Sequence, residues 1–548
     1  MRTRQLVYRC RRVLPLRVVA TGTHERAPTS WRSLAAGLAV DRAPQSGPVD
    51  PPEHCGSFTF VGASRTFSDE PEFWRTGEHG LLFAFHLHGF AGLARYAAGP
   101  RAASSDAFWA TVAGSWLSHA AEPSRPGWHP YPLSGRIMAW CAALSTGGWP
   151  AALEQRMLAS LERQTQVLRR SVEHDIGGNH VLRNATALVV AGVCLTDARL
   201  ERRALTLLRR ELRAQLLADG GHEERSTAYH RAVRSDVDDV AVLLTRAHGS
   251  QPGWLEEARS RMVAWEDAMR GPDGTLPLLN DAWEGPAEPV ARDRDRATIL
   301  HESGYVVLRH AEDQLTIDAG RVAPPHLPPH AHADVLSFVL WADGRPLIVD
   351  PGTFAYTGPQ RALFRGTAAH NTVEVDASDQ CDLWGDFRAA FMPRVVRLDV
   401  DRCGDVVVVV ARHDGYRRLD DPVEHERWFC WVPGDGLVVI DALHAGRPHH
   451  ASSRLHIAAG VTAMGAQQLG PFALRALGPG PEATVGAGEY AAFLGVRTAI
   501  EVVERRGRIE PGVGFGWALL RPGAQATLDG RTLTLKRRSG DSMKVELR

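Results

Sequence analysis

The spacing of apolar residues changes once along this chain, and that change limits the fold more than any other feature. From about Trp74 to Gly271 apolar residues recur every three to four positions, the period of an amphipathic helix. Ala152 to Val172, His180 to Leu195, Ala198 to Leu217 and Leu255 to Met269 show it well. After about Ser303 the period falls to two, in short β-branched runs at Tyr305 to Arg309, Leu336 to Trp341, Leu347 to Val349, Thr372 to Val375, Val406 to Ala411 and Leu437 to Ile440. Turn clusters such as Ser145-Thr146-Gly147-Gly148, Gly177-Gly178 and Gly271-Pro272-Asp273-Gly274 end the helices, and Asp343-Gly344 marks a hairpin. Serial helical hairpins predict a bundle, solenoid or toroid, and the strands predict an antiparallel sandwich. The chain is thus read as α+β and multidomain: an irregular Arg/Pro-rich segment at 1–50, a helical domain at 51–300 and a β domain at 301–548. Its 548 residues exceed what one hydrophobic core of about 250–300 residues holds together.

Composition excludes several classes. Charged residues make up 23 % and hydrophobic ones 44 %, a soluble globular balance with neither the bias of a disordered chain nor a membrane-spanning run. Basic and acidic residues number 63 each, so no general positive surface is available to hold nucleic acid by counterion release. Lysine occurs only at Lys536 and Lys544, so arginine abundance as such carries no functional weight. The seven cysteines are widely spaced without a C-x-x-C pair, which indicates neither a disulfide scaffold nor a thiolate zinc knuckle. Residues 1–50 hold nine arginines, and the apolar stretch Val13 to Ala20 is broken by Pro15 and Arg17, so they do not read as a clean secretory signal.

The chemistry is concentrated in histidine, of which there are 24. No P-loop, G-x-S-x-G or H-E-x-x-H pattern is present, and no organic cofactor is expected. The richest region runs from His330-Ala331-His332-Ala333-Asp334 through Asp350-Pro351-Gly352-Thr353 and Tyr356 to Ala369-His370-Asn371-Thr372-Val373. His332, Asp350 and His370 form the best trio for one divalent ion, since zinc takes His nitrogen and Asp oxygen. The alternative is that these side chains hydrogen-bond the backbone at strand ends. Asp334 reads as orienting a histidine or capping a turn, and His449, His450 and His456 as a solvated cluster or, alternatively, as part of a β-strand facing a cleft. In the helical half, Asn179 in Gly177-Gly178-Asn179-His180 reads by itself as an N-cap, and Tyr229 as packing.

Taken together, these segments resemble the heparinase II/III-like polysaccharide lyases, a family that joins an (α/α) toroid to an antiparallel β-sandwich. The resemblance is carried by G-G-N-H at 177–180, E-R-S-T-A-Y-H at 224–230, H-A-H-A-D-V-L-S-F at 330–338, V-D-P-G-T at 349–353 and F-R-G-T-A-A-H-N-T-V at 364–373. Family-like character, including W-H-P-Y-P-L-S-G-R at 128–136, extends from roughly residue 70 to 460.

The resemblance implies β-elimination on a uronic-acid polysaccharide. Asn179 and His180 match the group that neutralises the C5 carboxylate and stabilises developing enolate charge. Tyr229 matches the catalytic tyrosine; a phenol with a reference pKa near 10 can return a proton to the leaving oxygen, and serves as base only beside positive charge. His330 matches a histidine bordering the cleft, as base or as a second carboxylate contact, and Tyr356 a further cleft tyrosine. Arg136 and Arg231 are candidate clamps for substrate carboxylates, or else solvated or ion-paired helix residues. The same alignment puts His332, Asp350 and His370 on the family's structural zinc positions. The implied partner is an anionic uronate chain, and family members usually work outside the cytoplasm. Two other readings stand beside this one: a metal-dependent glycan hydrolase using His330, His332 and Asp350, and an exopolysaccharide-binding protein without turnover.

Overall fold

The computed structural model describes residues 50–548 apart from 76, 124–125, 291–294, 466 and 481, so the segment read at 1–50 lies, save for Asp50, outside the described residues. The chain divides into two compact units, residues 1–216 with 229–263, and residues 217–228 with 264–548. The change of period near 300 thus marks where the strands of the second unit begin, while residues 264–300 already cluster with those strands. Their apolar side chains Trp265, Met269, Leu276, Leu279 and Leu300 pack with Tyr305 and Val307.

The first unit opens with a hairpin, β1 (Ser57–Phe60) and β2 (Ala63–Thr66), followed by helices α1 (Gly80–His88), α2 (Leu93–Ala98), α3 (Ala103–His119), α4 (Pro130–Thr146), α5 (Ala151–Ser171), α6 (Gly178–Cys194) and α7 (Ala198–Gln215). Helices α8 (Thr227–His248) and α9 (Gly253–Met269) follow the interposed segment 217–228. A local signal explains the start of α7. The Asp197 carboxylate accepts from the amides of Arg199 and Leu200 at 3.0 and 2.9 Å, capping α7. Leu200, Ala204, Leu208 and Leu212 then recur every fourth residue on its buried face. Helix α4 is buried almost throughout, and Trp116 and Trp140 meet edge to face at 5.4 Å in the core around it. Before α6 the chain turns through Gly177 (φ 83°) and Gly178 (φ 56°), backbone that a side chain would strain.

In the second unit, strands β3 (Asp295–Leu300), β4 (Tyr305–His310), β5 (Asp313–Asp318), β6 (Phe338–Ala342) and β7 (Arg345–Ile348) form one antiparallel sheet in sequence order. Asp343 and Gly344 both have positive φ in the two-residue β6–β7 turn, as the hairpin signal predicted. A short helix α10 (Pro359–Arg365), strand β8 (Val373–Val375) and a hairpin of β9 (Asp382–Trp384) and β10 (Arg388–Phe391) come next. Strands β11 (Val395–Cys403), β12 (Val406–Tyr416), β13 (Val423–Val432) and β14 (Gly436–His444) begin an eight-stranded antiparallel sheet, and β15 (His449–His456) pairs with β8 in a four-stranded one. Val306, Leu308, Phe338 and Leu340 of the first sheet share a core with Val407, Val409, Phe429 and Val439 of the eight-stranded sheet, which makes the sandwich. The other face of β12 to β14 is covered as well, by Leu533, Leu535 and Val545. Burial on both faces is why 406–411 reads as a continuous valine run rather than an alternation.

A charged network ties this sandwich to its loops. The Arg427 guanidinium meets Asp441 through Nε and Nη2 at 2.6 and 3.0 Å, and donates through Nη1 to the carbonyls of Leu336 and Asn371. His425 reaches Asp441 at 2.7 Å and His413 at 3.1 Å, and all four side chains are buried. Asp441→Ala is expected to cost about 3–5 kcal/mol in denaturant unfolding, because Arg427 is left charged and buried. Burial, aided by Arg427, holds His413 and His425 below the usual imidazole value. The unfolded chain therefore binds protons near pH 6.5 that the folded chain refuses, and thermal stability is expected to fall as pH drops below about 6.5.

Candidate active site and metal centre

In the second unit the segment 330–337 is a loop leading into β6, not the strand expected from Leu336. Leu336 takes the left-handed conformation (φ 62°), uncommon for a branched side chain, with Arg427 donating to its carbonyl. The loop converges on Asp281, a fully buried carboxylate. Asp281 Oδ2 lies 2.8 Å from His330 Nδ1, and Oδ1 lies 3.0 Å from His332 Nε2. Arg361 of α10 grips the same carboxylate with both terminal nitrogens and donates to the Pro329 carbonyl at 2.8 Å. Burial alone would raise the Asp281 carboxyl, but Arg361 and the two histidines outweigh it and hold it well below the usual carboxylate range. Asp281 is therefore an anion that accepts from both rings, and the Nδ1–H of His330 is directed to it.

The side chain of His330 is 12 % exposed, its ring centroid lies 6.2 Å from that of Tyr356, and its Nε2 is 3.9 Å from a carboxylate oxygen of buried Glu224. Glu224 opens the stretch whose next members are anchored in the same unit. Ser226 donates to the Asp281 carbonyl and Thr227 to that of Pro277.

His332, Asp350 and His370 each offer a ligand atom within 4.8 Å of the others' and are all buried. His332 is held through Nε2 by Asp281, while its Nδ1 has no hydrogen-bond partner among the described residues. His370 Nδ1 lies 2.8 Å from Asp350, and its Nε2 likewise lacks a partner among them. Two buried imidazole nitrogens without a partner, beside a carboxylate, are a donor set that fits a divalent ion. Burial pushes His332 down to about 4 despite Asp281, which leaves the neutral ring a metal needs. His370 is raised, because Asp350 outweighs burial. The bonding partner of His370 is therefore a carboxylate, not the backbone oxygen of the strand-end alternative.

Asp334 departs from expectation. Neither of its carboxylate oxygens has a hydrogen-bond partner among the described residues, so it orients no histidine. Burial, with the nearby Asp350 charge, pushes it up to about 6. The reading of His449, His450 and His456 as a solvated cluster is also corrected. All three lie on β15, and only His450 is exposed. His449 is bridged by Asp376 and Asp421 at 2.6 and 2.9 Å, and burial brings His456 down to about 3.

In the first unit, Asn179 and His180 occupy the first turn of α6, Asn179 buried and the His180 side chain 25 % exposed. His180 Nδ1 lies 3.2 Å from Glu173, a fully buried carboxylate at the end of α5. Asn184, one turn further along α6, accepts from the Glu173 amide at 2.8 Å and donates to its carboxylate at 3.1 Å. Glu173 thus stands to His180 as Asp281 stands to His330. Tyr229 is half-buried in the first turn of α8, next to His230, whose ring meets the Met262 carbonyl at 3.2 Å.

Arg136 is not a substrate clamp. Its guanidinium is fully buried, donates to Gln164 and to the carbonyls of His88 and Gly127, and lies 4.2 Å from the Trp116 ring centroid. Burial pushes it down to about 9. Arg231 is also buried, at 7 % exposure.

Asp281, Arg361, Glu173 and Glu224 were missed by the sequence reading. One sign of Asp281 was available: Asn280-Asp281 interrupts an apolar run from Leu276 to Trp283 whose hydrophobic members are all buried.

A helical unit together with antiparallel sheets packed as a sandwich defines an (α/α) toroid plus β-sandwich protein. Residues 107–300 match the model of the heparinase II/III N-terminus and residues 292–523 that of the heparinase II/III-like C-terminal region, so the chain belongs to the heparinase II/III-like family. It is similar to a heparin-sulfate lyase of Bacteroides stercoris, 23 % identical over 309 residues, which are 48 % of this chain and 44 % of the relative. A heparin-sulfate lyase of Pedobacter heparinus is 23 % identical over 299 residues, covering 45 % of this chain and 44 % of the relative. The chain thus spans less than half the length of the curated relatives it matches. A heparinase III crystal structure superposes with a TM-score of 0.68 at 16 % identity, over 99 % of this chain and 94 % of that one. A chondroitinase AC lyase gives 0.52 at 9 % identity, over 94 % and 89 %. At such identities the likeness is one of fold.

Proposed function

We propose that this chain is a polysaccharide lyase that cleaves a glycosaminoglycan-type, uronate-containing polymer by β-elimination. The observation that carries the reading is His330 fixed by Asp281 through Nδ1, which leaves Nε2 as the basic nitrogen, within a family whose curated relatives are named heparin-sulfate lyases. In this reaction Asn179 and His180 neutralise the C5 carboxylate and stabilise the enolate. His330 takes the C5 proton or, on the other epimer, makes a second carboxylate contact. Tyr229 protonates the leaving oxygen at C4, and Tyr356, beside His330, is a further aromatic contact for substrate. Glu173 and Asp281 orient His180 and His330 without touching substrate.

His332, Asp350 and His370 hold one zinc ion, whose contribution is structural: it fixes the loop that carries His330. Burial, with the neighbouring charges of Asp334 and Asp350, raises the proton affinity of Asp318, and burial with Asp350 raises that of Asp334, an environment that favours a cation. Zinc is expected at about one equivalent by elemental analysis and to be absent from His370→Ala; removing it should lower the thermal midpoint. Lyase activity retained in a zinc-free but folded preparation fits the structural role, and activity tracking zinc in a folded protein contradicts it.

Product analysis in heavy-oxygen water separates this reading from hydrolysis. Elimination takes up no solvent oxygen and yields an unsaturated non-reducing end. One solvent oxygen per cut in a saturated product would make the chain a hydrolase.

A further inference from the structure

Among the described residues only two aromatic side chains are exposed, Trp384 at 49 % and Phe387 at 44 %, and both sit at the turn of the β9–β10 hairpin. A chain with 15 Trp and 17 Phe that buries or half-buries its other described rings leaves these two in water together. Trp384 pairs across the hairpin with Arg388, whose guanidinium carbon lies 4.4 Å from the indole centroid.

The turn is held firmly from beneath. The Asp386 carbonyl accepts from Arg361 Nε at 3.2 Å and from Arg365 Nη1 at 2.9 Å, and its carboxylate accepts from the Gly358 amide at 3.1 Å. Both arginines are buried. Arg361 is also the side chain that grips Asp281, the carboxylate on His330, and it lies 5.5 Å from the Tyr356 ring. One buried guanidinium therefore joins the exposed aromatic turn to the candidate catalytic histidine. An aromatic surface fixed in this way binds without the entropic cost of ordering a loop.

We propose that Trp384 and Arg388 form a sugar-binding platform for the anionic polysaccharide beyond the residue that is cut. The C–H face of a pyranose stacks on the indole, and a carboxylate or sulfate of the same chain pairs with the Arg388 guanidinium. The platform rests on the lyase reading for its ligand, and its contribution grows with the length of chain bound.

The test measures KM against oligosaccharide length with heparan sulfate fragments up to the polymer. Trp384→Ala is expected to raise KM for the polymer about ten-fold, with a smaller rise for the shortest cleavable fragment, and Trp384→Phe to recover most of it. Arg388→Met should give a smaller rise that fades in high salt. Met464→Ala, another exposed apolar site in the same unit at 66 %, is the control and should leave KM unchanged. A KM for Trp384→Ala equal to wild type at every length overturns the platform. A second arm needs no turnover: Tyr229→Phe is run through gels containing heparan sulfate, with and without Trp384→Ala. Retardation that Trp384→Ala abolishes supports the platform even if no unsaturated product is ever formed, which would sink the lyase reading alone. No retardation, or equal retardation, overturns the platform.

Discussion

Asp281→Asn is expected to lower kcat by about 10²–10⁴-fold, because an amide cannot accept from both histidines and Arg361 at once, and to lower stability as well, because buried Arg361 loses its counter-charge. The carboxylate receives Nδ1–H of His330 on one oxygen and Nε2–H of His332 on the other. An asparagine presents an NH2 on one side, and whichever ring faces it must reverse its tautomer or turn away. If His330 turns, the basic nitrogen no longer faces substrate; if His332 turns, the nitrogen available to the ion changes. Steady-state kinetics and zinc content, measured together, tell the two apart. A folded Asp281→Asn with wild-type kcat and full zinc contradicts the role given to this carboxylate. Arg361→Met should lose stability as well as activity, since it leaves the Asp281 anion buried without its cation.

Tyr229→Phe carries the second large expectation, a fall of about 10²–10⁴-fold in kcat with KM changed less than three-fold. The substitution removes one hydroxyl from a half-buried ring, so the packing of the first turn of α8 is kept. An elimination from C4 has no other assigned group to protonate the leaving oxygen. A substrate carrying a better leaving group at that oxygen should be rescued in Tyr229→Phe more than in wild type. A uniform loss for both substrates would point to mispositioning instead.

Much of the fold was legible because period is a local property. Helices read at Ala152 to Val172 and Ala198 to Leu217 were found at Ala151–Ser171 and Ala198–Gln215. The Asp343-Gly344 turn joined the strands it was read between. The clustering of His332, Asp350 and His370 was legible because the three segments fall within about forty residues and each bears a histidine or aspartate in a distinctive setting. What holds those residues was not legible. Asp281 lies 49 residues from His330 and 80 from Arg361, and a contact at that separation leaves no trace in spacing. Arginine supplies nearly all of the 63 basic residues, so a buried clamp such as Arg361 and a buried core residue such as Arg136 look alike in sequence. Their partners separate them: both are buried, but Arg361 faces a carboxylate and Arg136 faces carbonyls and indole rings. Asp334 was misjudged for a related reason, since an acid two residues past a histidine suggests an orienting role that the observed loop does not provide.

β-Elimination creates a C4–C5 double bond, whose ultraviolet absorbance reports the reaction directly. Purified protein would be incubated with a panel of uronate polymers, including heparan sulfate, hyaluronan-like chains, chondroitin and alginate. Absorbance is expected to rise on at least one glycosaminoglycan, and Tyr229→Phe is expected to reduce that rise to near background. New reducing ends without any rise in absorbance would contradict β-elimination.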